Sequence, residues 1–526
     1  MAGTAAARYT QLESDRRPYL DRARKCAKLT IPSLMPDEGT GASTQLSTPY
    51  QSVGARGTNN VASKLLLTLF PPHASHFKMN VDELTLESIT GQKGMQAEVD
   101  KALSAYVKRV MSAVETRGVR VSVFEAIKQI IISGNSCIYL PDETGMRVYR
   151  LDKYVCKRDP SGTLLELIIK EQIALEAIPQ DILSALPVEA SEKPTSTGKG
   201  TDSVSPPTPD SLKPKDLFTY VFLEANQYVV FQEIEGILVP GSKGSYPVDA
   251  LPFMLLRWTK VDGEDYGRSY IEEYLGDLST LEDLTKALVE FAAVASRVNF
   301  FVNPNGVTNI KKLQGAANGD YLVGDAARDI TTLQVEKYND FRVVKDLLSA
   351  IEQRLAYAFL LNTAIQRPGE RVTAEEIRFM ARELEDALGG VYTVQSQDLQ
   401  LPLTKVIIAQ LERQSQLPIL PAGILPTIVT GIDALGRGQD LAMLDAFVDG
   451  AIQKNPEAIK YINWSDYLSR RAAALGIDMA GLIKSPEELA AEQQQEQMMQ
   501  MAAQLGPNAI NQVGGVAQKA MEPPPQ

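Results

Sequence analysis

Between Ser269 and Leu361 two helix-patterned stretches enclose about forty residues of a different kind, and this restricts the fold more than any other feature. In the first stretch apolar residues fall at Ile271, Tyr274, Leu275, Leu278, Leu281, Leu284, Leu288, Phe291 and Ala295, close to the helical period. Ser269 with Glu272, and Ser279 with Glu282, have capping-box spacing. Run unbroken to Phe300, this helix would be about 48 Å long; Gly276 leaves open whether it is one helix or two. The second stretch, Phe341 to Leu361, repeats the pattern at Phe341, Val344, Leu347, Leu348, Ile351, Leu355 and Phe359, over about 31 Å. Between them, Asn305-Gly306 and Asn318-Gly319 are hairpin-type turn signals beside β-prone runs at Val307–Leu313, Tyr321–Val323 and Ile330–Val335. Two long helices around a small β module make a rod with a head. A rod whose apolar face has no cover in its own chain packs against copies of itself. The candidates for that packing are Leu284, Leu288, Phe291, Leu348, Ile351 and Leu355.

The flanks differ from the rod. The first ~135 residues read as helices: a charged one over Arg16–Lys28, another over Asn60–Phe70 stopped by Pro71-Pro72, then Met95–Arg117 and Val121–Ile132. From Ser136 to Lys260 the pattern is of antiparallel strands, as in Cys137–Leu140, Thr163–Ile173, Phe218–Leu223 and Tyr228–Gln232, with a turn at Asn226-Gln227. Leu186 to Lys215 is rich in Ser, Thr and Pro and reads as an exposed insertion. Beyond the rod, Thr373 with Glu376 opens a helix, and another over Tyr392–Gln414 is kinked around Pro402. The last hundred residues are Ala-, Gln- and Met-rich helix, and Gly514-Gly515 and Pro523–Pro525 predict a disordered tail.

The chemistry that would make an enzyme is missing from the pattern. No GxxxxGK[ST], HExxH or GxSxG string occurs, and Gly198-Lys199-Gly200-Thr201 lacks the glycine spacing of a phosphate loop. The two histidines, His73 and His76, have no third ligand clustered nearby and read as loop residues; the three cysteines form no CxxC and fit a reducing compartment. Asp262-Gly263-Glu264-Asp265 reads as a solvated acidic turn, and the adjacent pairs Glu272-Glu273 and Glu375-Glu376 as helix-start acids. Neither a metal nor a cofactor is expected, and the chain shows neither an export signal nor an apolar run near the ~20 residues of a membrane span. With 53 Lys and Arg against 65 Asp and Glu, the net charge of −12 argues against bulk binding of nucleic acid. Two features are less bland. Val53–Asn60 places Arg56 between two glycines, as a loop and N-cap ahead of a helix, and Gln366–Arg371 concentrates two arginines, Pro and Gly between two helices.

At these residues the chain resembles the portal, or head-to-tail connector, proteins of short-tailed phages of the T-odd podovirus group. The resemblance is densest in Ser14–Arg17, Leu29–Pro36, Thr48–Gly57 and Asp262–Leu278 (DGEDYGRSYIEEYLGDL), and continues through Arg354–Thr393 and Gly431–Leu441. It implies a mixed α/β, mainly α portal fold, assembled as a ring of about twelve around an axial channel. Residues 1–268 would be an α/β wing with the insertion at 187–215, 269–300 and 341–361 stem helices, and 301–340 a clip. Residues 362–372 would be a tunnel loop, 373–415 wing helices, 416–505 a crown and 506–526 the tail. The loop Gln366, Arg367, Pro368, Gly369, Glu370 and Arg371 would then face DNA, and Asn305, Lys311, Lys312, Asn318 and Arg328 the tail adaptor. The implied role is a non-enzymatic conduit at one capsid vertex of the virion, assembled in the bacterial cytoplasm without membrane contact. Its implied partners are other copies of itself, double-stranded DNA, terminase, tail adaptor, major capsid and scaffolding proteins, and internal core proteins. A tail adaptor would lack the long rod, and a packaging nuclease or ATPase would need motifs the chain lacks.

Overall fold

A computed structural model describes residues 4–41, 43–72, 75–81, 96–142, 145–178, 214–295, 300–332, 338–361, 390–421, 423–428, 444–454 and the single residues 462, 464, 467, 468 and 471. The chain divides into one unit of residues 1–93 and 100–431 and another of 94–99 and 432–526. In the second, the Tyr467 hydroxyl donates to Asp445 (2.6 Å) and Arg471 pairs with the same carboxylate at 3.4 Å.

The first unit begins with α1 (Ala5–Lys28) and α2 (Val53–Leu69), then β1 (Phe77–Asn80), α3 (Gln96–Thr116) from Asp100 onward, and α4 (Val119–Ser133). A three-stranded antiparallel sheet follows, of β2 (Asn135–Tyr139) and β3 (Arg147–Tyr149) with the later β10 (Phe253–Arg257) on the other side of β2. A six-stranded antiparallel sheet runs through β4 (Tyr154–Arg158), β5 (Leu164–Ile173), β6 (Lys215–Glu224), β7 (Gln227–Ile234) and β8 (Ile237–Leu238), with β9 (Gly244–Pro247) also on β7. The turn between β6 and β7 sits at Ala225 and Asn226, both left-handed (φ 46° and 66°), one residue earlier than the pattern predicts. Mirror-type turns match the strand twist, which is why both central residues are left-handed.

Alternation along β4, β5 and β6 brings Val155, Ile168, Phe218 and Tyr220 to one face, where Ala5, Tyr9 and Leu12 of α1 cover them. Two polar devices fix α1 on this sheet. Glu233 of β7 accepts the Ala5 amide with both carboxylate oxygens (3.1 and 3.0 Å), filling the helix N-terminus with negative charge. Buried Arg16 donates to the carbonyls of Asp152 (2.9 Å) and Tyr154 (3.0 Å) and to the Tyr9 hydroxyl (2.9 Å). Helix α4 is the core element: Val123, Ala126, Ile127, Ile130, Ile131 and Ile132 are all buried, and α1 and α2 pack on it. Its other face, with Val121 and Glu125, stays exposed, so the helix is amphipathic with a wide apolar stripe turned to the core.

The acidic turn at 262–265 is a latch. Asp265 accepts from the Arg158 amide (2.6 Å) and the Lys157 ammonium (3.0 Å), and Glu264 from Arg268 (3.0 Å), so these charges are spent on structure instead of solvent. Next to it the Tyr266 hydroxyl accepts the Cys156 amide at 3.0 Å. Gly267 and Gly134 cross back to back, joined by Asn135, whose side chain both accepts from the Gly267 amide (2.7 Å) and donates to its carbonyl (2.9 Å). Ser269 then caps the helical turn Tyr270–Glu273, as its spacing predicts, and donates to the Ile131 carbonyl at 2.9 Å.

Several expectations are corrected. The segment Val53–Asn60 is no loop but the start of α2, its glycines taken up by close packing instead of by a turn. Ser279 caps nothing: it lies inside α5 (Leu275–Ala295), and Glu282 instead accepts the amides of Tyr50 (2.9 Å) and Gln51 (3.1 Å). The helix is interrupted at Tyr274, not at Gly276, and Phe300 belongs to β11 (Phe300–Val302). Residues 307–313 are not a strand, because the Asn309 side chain accepts the amides of Lys311 (3.1 Å) and Lys312 (3.3 Å) and caps a helical turn, Ile310–Gln314. Among the described residues Ile330–Thr332 (β12) pairs with β11, and 333–335 of the expected run lie outside them. His73 lies outside the described residues, and His76 does sit in a bend just ahead of β1, but it is buried, not solvated: it packs between Phe70 and Phe77, shares a hydrogen with Thr404 at 3.0 Å, and burial lowers its pKa to about 4.

The second rod helix, α6, runs over Tyr338–Ala358. After it come a short helix, Gly390–Gln395, a π-helical turn, Ser396–Gln400, and α7 (Leu401–Arg413); β13 (Leu425–Ile428) pairs antiparallel with β1. The π-turn falls just ahead of Pro402, where a ring without an N–H disturbs α-helical bonding. Lys215 opens β6 instead of closing the insertion, and residues 187–213 lie outside the described residues.

A methyl group at Gly134 would lie 2.6 Å from the Arg268 carbonyl carbon, on backbone at φ 75°. Gly134→Ala is therefore expected to cost roughly 2–4 kcal/mol. A thermal melt of the full chain checks this, and an unchanged midpoint contradicts the crossing.

Candidate functional site

Helices α5 and α6 pack on each other as an antiparallel pair, bridged by Arg354 and Asp277 at 3.1 Å. Burial falls along the pair. Leu278, Leu281, Ile351 and Leu355 are fully enclosed, whereas Leu284, Leu288, Phe291 and Leu348 are half-buried. Farther out, Val289, Val294, Val343 (68%) and Leu347 (49%) lie open to solvent. The six packing candidates thus split in two. Ile351 and Leu355 serve the chain's own core, and the exposed apolar surface is on Leu347, which the periodicity included, and on Val289, Val294 and Val343, which it did not.

At the far end of the pair, β11 and β12 close residues 300–332 into a small module. Its organiser is polar. Buried Asp329 accepts the Thr308 amide (2.9 Å) and hydroxyl (2.8 Å), while its carbonyl accepts the Asn303 amide at 2.9 Å. Thr308 Oγ1 in turn accepts the Asp325 amide at 3.1 Å. The Thr308 hydroxyl and amide hold the Asp329 carboxyl below the usual carboxylate range. Around this hub Phe301, Val307, Tyr321 and Val323 are exposed, and so are all five sequence candidates, Asn305, Lys311, Lys312, Asn318 and Arg328. The module presents both apolar and cationic surface.

The near end of the pair is seated in α2. Gly57, Asn60 and Lys64 share one helical face at i, i+3 and i+7. A side chain at Gly57 would overlap the ring of Phe359, which is fully buried and also touches Tyr270 and Tyr274 at centroid distances of 5.9 and 5.7 Å. The Asn60 amide donates to the carbonyls of both Phe359 and Leu360 at 2.9 Å. The Lys64 ammonium donates to Leu360 at 3.1 Å, and the Tyr270 hydroxyl to Ala358 at 2.7 Å. A cation at a helix C-terminus complements the helix dipole. The end itself is a Schellman turn: the Leu360 amide donates to Tyr357 (3.1 Å) and the Leu361 amide to Ala356 (2.8 Å). Leucine stands at its left-handed position (φ 56°), where glycine is usual and where an L side chain costs roughly 1–2 kcal/mol.

The arginine-bearing loop, Gln366, Arg367, Pro368, Gly369, Glu370 and Arg371, lies outside the described residues, as do the Thr373–Glu376 capping box and residues 472–526. Among the described residues no group of three His, Cys, Asp or Glu could hold a metal ion, and no helix is long and apolar enough to cross a membrane. A cleft of about 420 Å³ is lined by cations and carboxylates alike, among them Arg16, Arg24, Lys170, Glu13 and Asp152, without converging on one charge. Sequence reasoning missed Asp329 with Thr308, whose link spans a loop. It also missed Asn60 and Lys64, whose spacing from Gly57 was visible but pointed to no partner.

A family model described as bacteriophage head to tail connecting protein matches residues 2–483. The portal protein of Enterobacteria phage T3 is 43% identical over 98% of this chain and 94% of its own length. That of Escherichia phage T7 is 42% identical over 95% and 90%. Among solved structures, the neck of an empty gene transfer agent particle covers 75% of this chain and 86% of that chain at 12% identity and a TM-score of 0.38, too loose a superposition to argue from.

Because the folded Asp329 carboxyl titrates below its unfolded value of about 3.9, its stabilisation is complete at neutral pH and is lost only as pH falls through the lowered value. Hydrogen exchange across 300–332 should therefore keep its protection from neutral pH down to about pH 5, whereas Asp329→Ala should lose it at every pH. Unaltered protection in that variant would remove Asp329 from its place as organiser.

Proposed function

This chain belongs to the bacteriophage head-to-tail connecting protein family and has a portal's role at the head-tail junction, and on that premise we propose how its parts perform it. About twelve copies close into a ring at one capsid vertex, and double-stranded DNA enters and leaves through the axial channel. The observation that carries this reading is the α5–α6 pair, enclosed at one end and bearing exposed Val289, Val294, Val343 and Leu347 toward the other. Side by side in a ring, each pair covers the apolar surface of the next, a heterologous contact that closes by rotation.

In this reading the pair is the stem and residues 301–340 the clip. Lys311, Lys312 and Arg328, with Asn305 and Asn318, face the tail adaptor, and terminase during packaging. Residues 1–268 and 373–415 form the wing, 416–505 the crown toward internal core proteins, and capsid and scaffolding proteins surround the ring. The chain acts as a structural component of the virion, without catalysis.

Residues 362–372 form the tunnel loop. A conduit has to touch DNA without gripping it: one phosphate contact from each of twelve arginines would give a log K against log salt slope of about −11. The net charge of −12, and Glu370 between Arg367 and Arg371, fit a collar that is moderated.

Two outcomes test this. Val343→Asp with Leu347→Asp alters exposed side chains only, so the chain should fold yet sediment as monomer; unchanged rings would refute the stem contact. Arg367→Ala with Arg371→Ala should form rings and bind adaptor, but package or retain DNA poorly. Wild-type filling by that variant would leave the loop a mere connector.

A further inference from the structure

The turn at Leu360 is left-handed although leucine disfavours that backbone, and side chains of another helix take its carbonyl and the one before it. A strained residue persists only where its surroundings over-determine it. The surroundings here are two donors one helical turn apart on α2, Asn60 and Lys64, the second a lysine buried on a helix face otherwise given to packing. Without them the turn keeps its backbone bonds but loses the side-chain bonds to the Phe359 and Leu360 carbonyls, which weakens its hold against the right-handed continuation of α6. We infer that Asn60 and Lys64 are positioning residues: by holding the Leu360 carbonyl they set the direction in which the chain leaves the stem. The inference rests on the portal reading, since the segment that follows in sequence is the proposed tunnel loop.

The test pairs loss with rescue. Asn60→Leu with Lys64→Met removes both donors and keeps most of the volume. The full-length variant should close into rings, exchange the amides of 356–361 about tenfold faster, and package about tenfold less DNA, as a population shift of that size requires. Adding Leu360→Gly, which takes the left-handed turn without penalty, should return both readouts to within about twofold of wild type. A merely structural role predicts the opposite, because Leu360→Gly deletes a further buried side chain. Wild-type packaging by the donor-less variant, or loss that glycine fails to rescue, overturns the inference. If the double substitution prevents folding, Lys64→Met alone keeps the buried aliphatic stem and carries the same expected loss and rescue. Failure of the wild-type chain to form rings would strike the portal reading instead.

Discussion

The ring of Phe359 presses on α2 where Gly57 has no side chain, and through this contact the α5–α6 pair is joined to the rest of the chain. The pair is open to solvent over much of its outer length, so its direction has to be set where it is enclosed. Tyr270 and Tyr274 hold the same phenylalanine from the side of α5. Helix α2 rests in turn on α4, and α4 carries α1 with the large sheet. A phenylalanine at the end of a rod thereby fixes that rod to a core built elsewhere in the sequence.

Around this apolar contact the junctions are polar, and each consists of backbone captured by a side chain distant in sequence. Glu233 holds the start of α1, Glu282 the amides ahead of α2, Asn135 the crossing at Gly267, Asn60 and Lys64 the end of α6, and Asp329 the outer module. Such bonds satisfy groups that helix ends and turns leave unpaired, and they cost desolvation if broken. They add little to apolar burial, but they decide direction. In the proposed ring, direction would matter more than depth of core, because an angular error per subunit accumulates.

The helices of the rod, the large antiparallel strands and the helix start at Ser269 were legible because each rests on local periodicity or local capping. Misreadings occurred where a local signal had a distant use. Ser279-x-x-Glu282 has the spacing of a cap, but Glu282 points away to residues 50 and 51. The glycines at 54 and 57 suggest a loop, yet they are helix positions emptied so that Leu29 and Phe359 can approach. Residues 307–313 have strand composition, but Asn309 bonds its own neighbours and turns them into a helix. Ile351 lies on the apolar stripe whose period suggests a neighbour as cover, yet it is core. Amphipathic period tells which face is apolar; it does not tell whether the cover comes from the same chain.

A double-mutant cycle between Gly57→Ala and Phe359→Leu measures the join between rod and core directly. The account predicts that Gly57→Ala costs roughly 1–3 kcal/mol of unfolding free energy in the wild-type background and far less beside the smaller leucine, a coupling of at least about 1 kcal/mol. Costs that add to within about 0.5 kcal/mol would show that the two positions do not press on one another, and would contradict the seat on which the rest of the description depends.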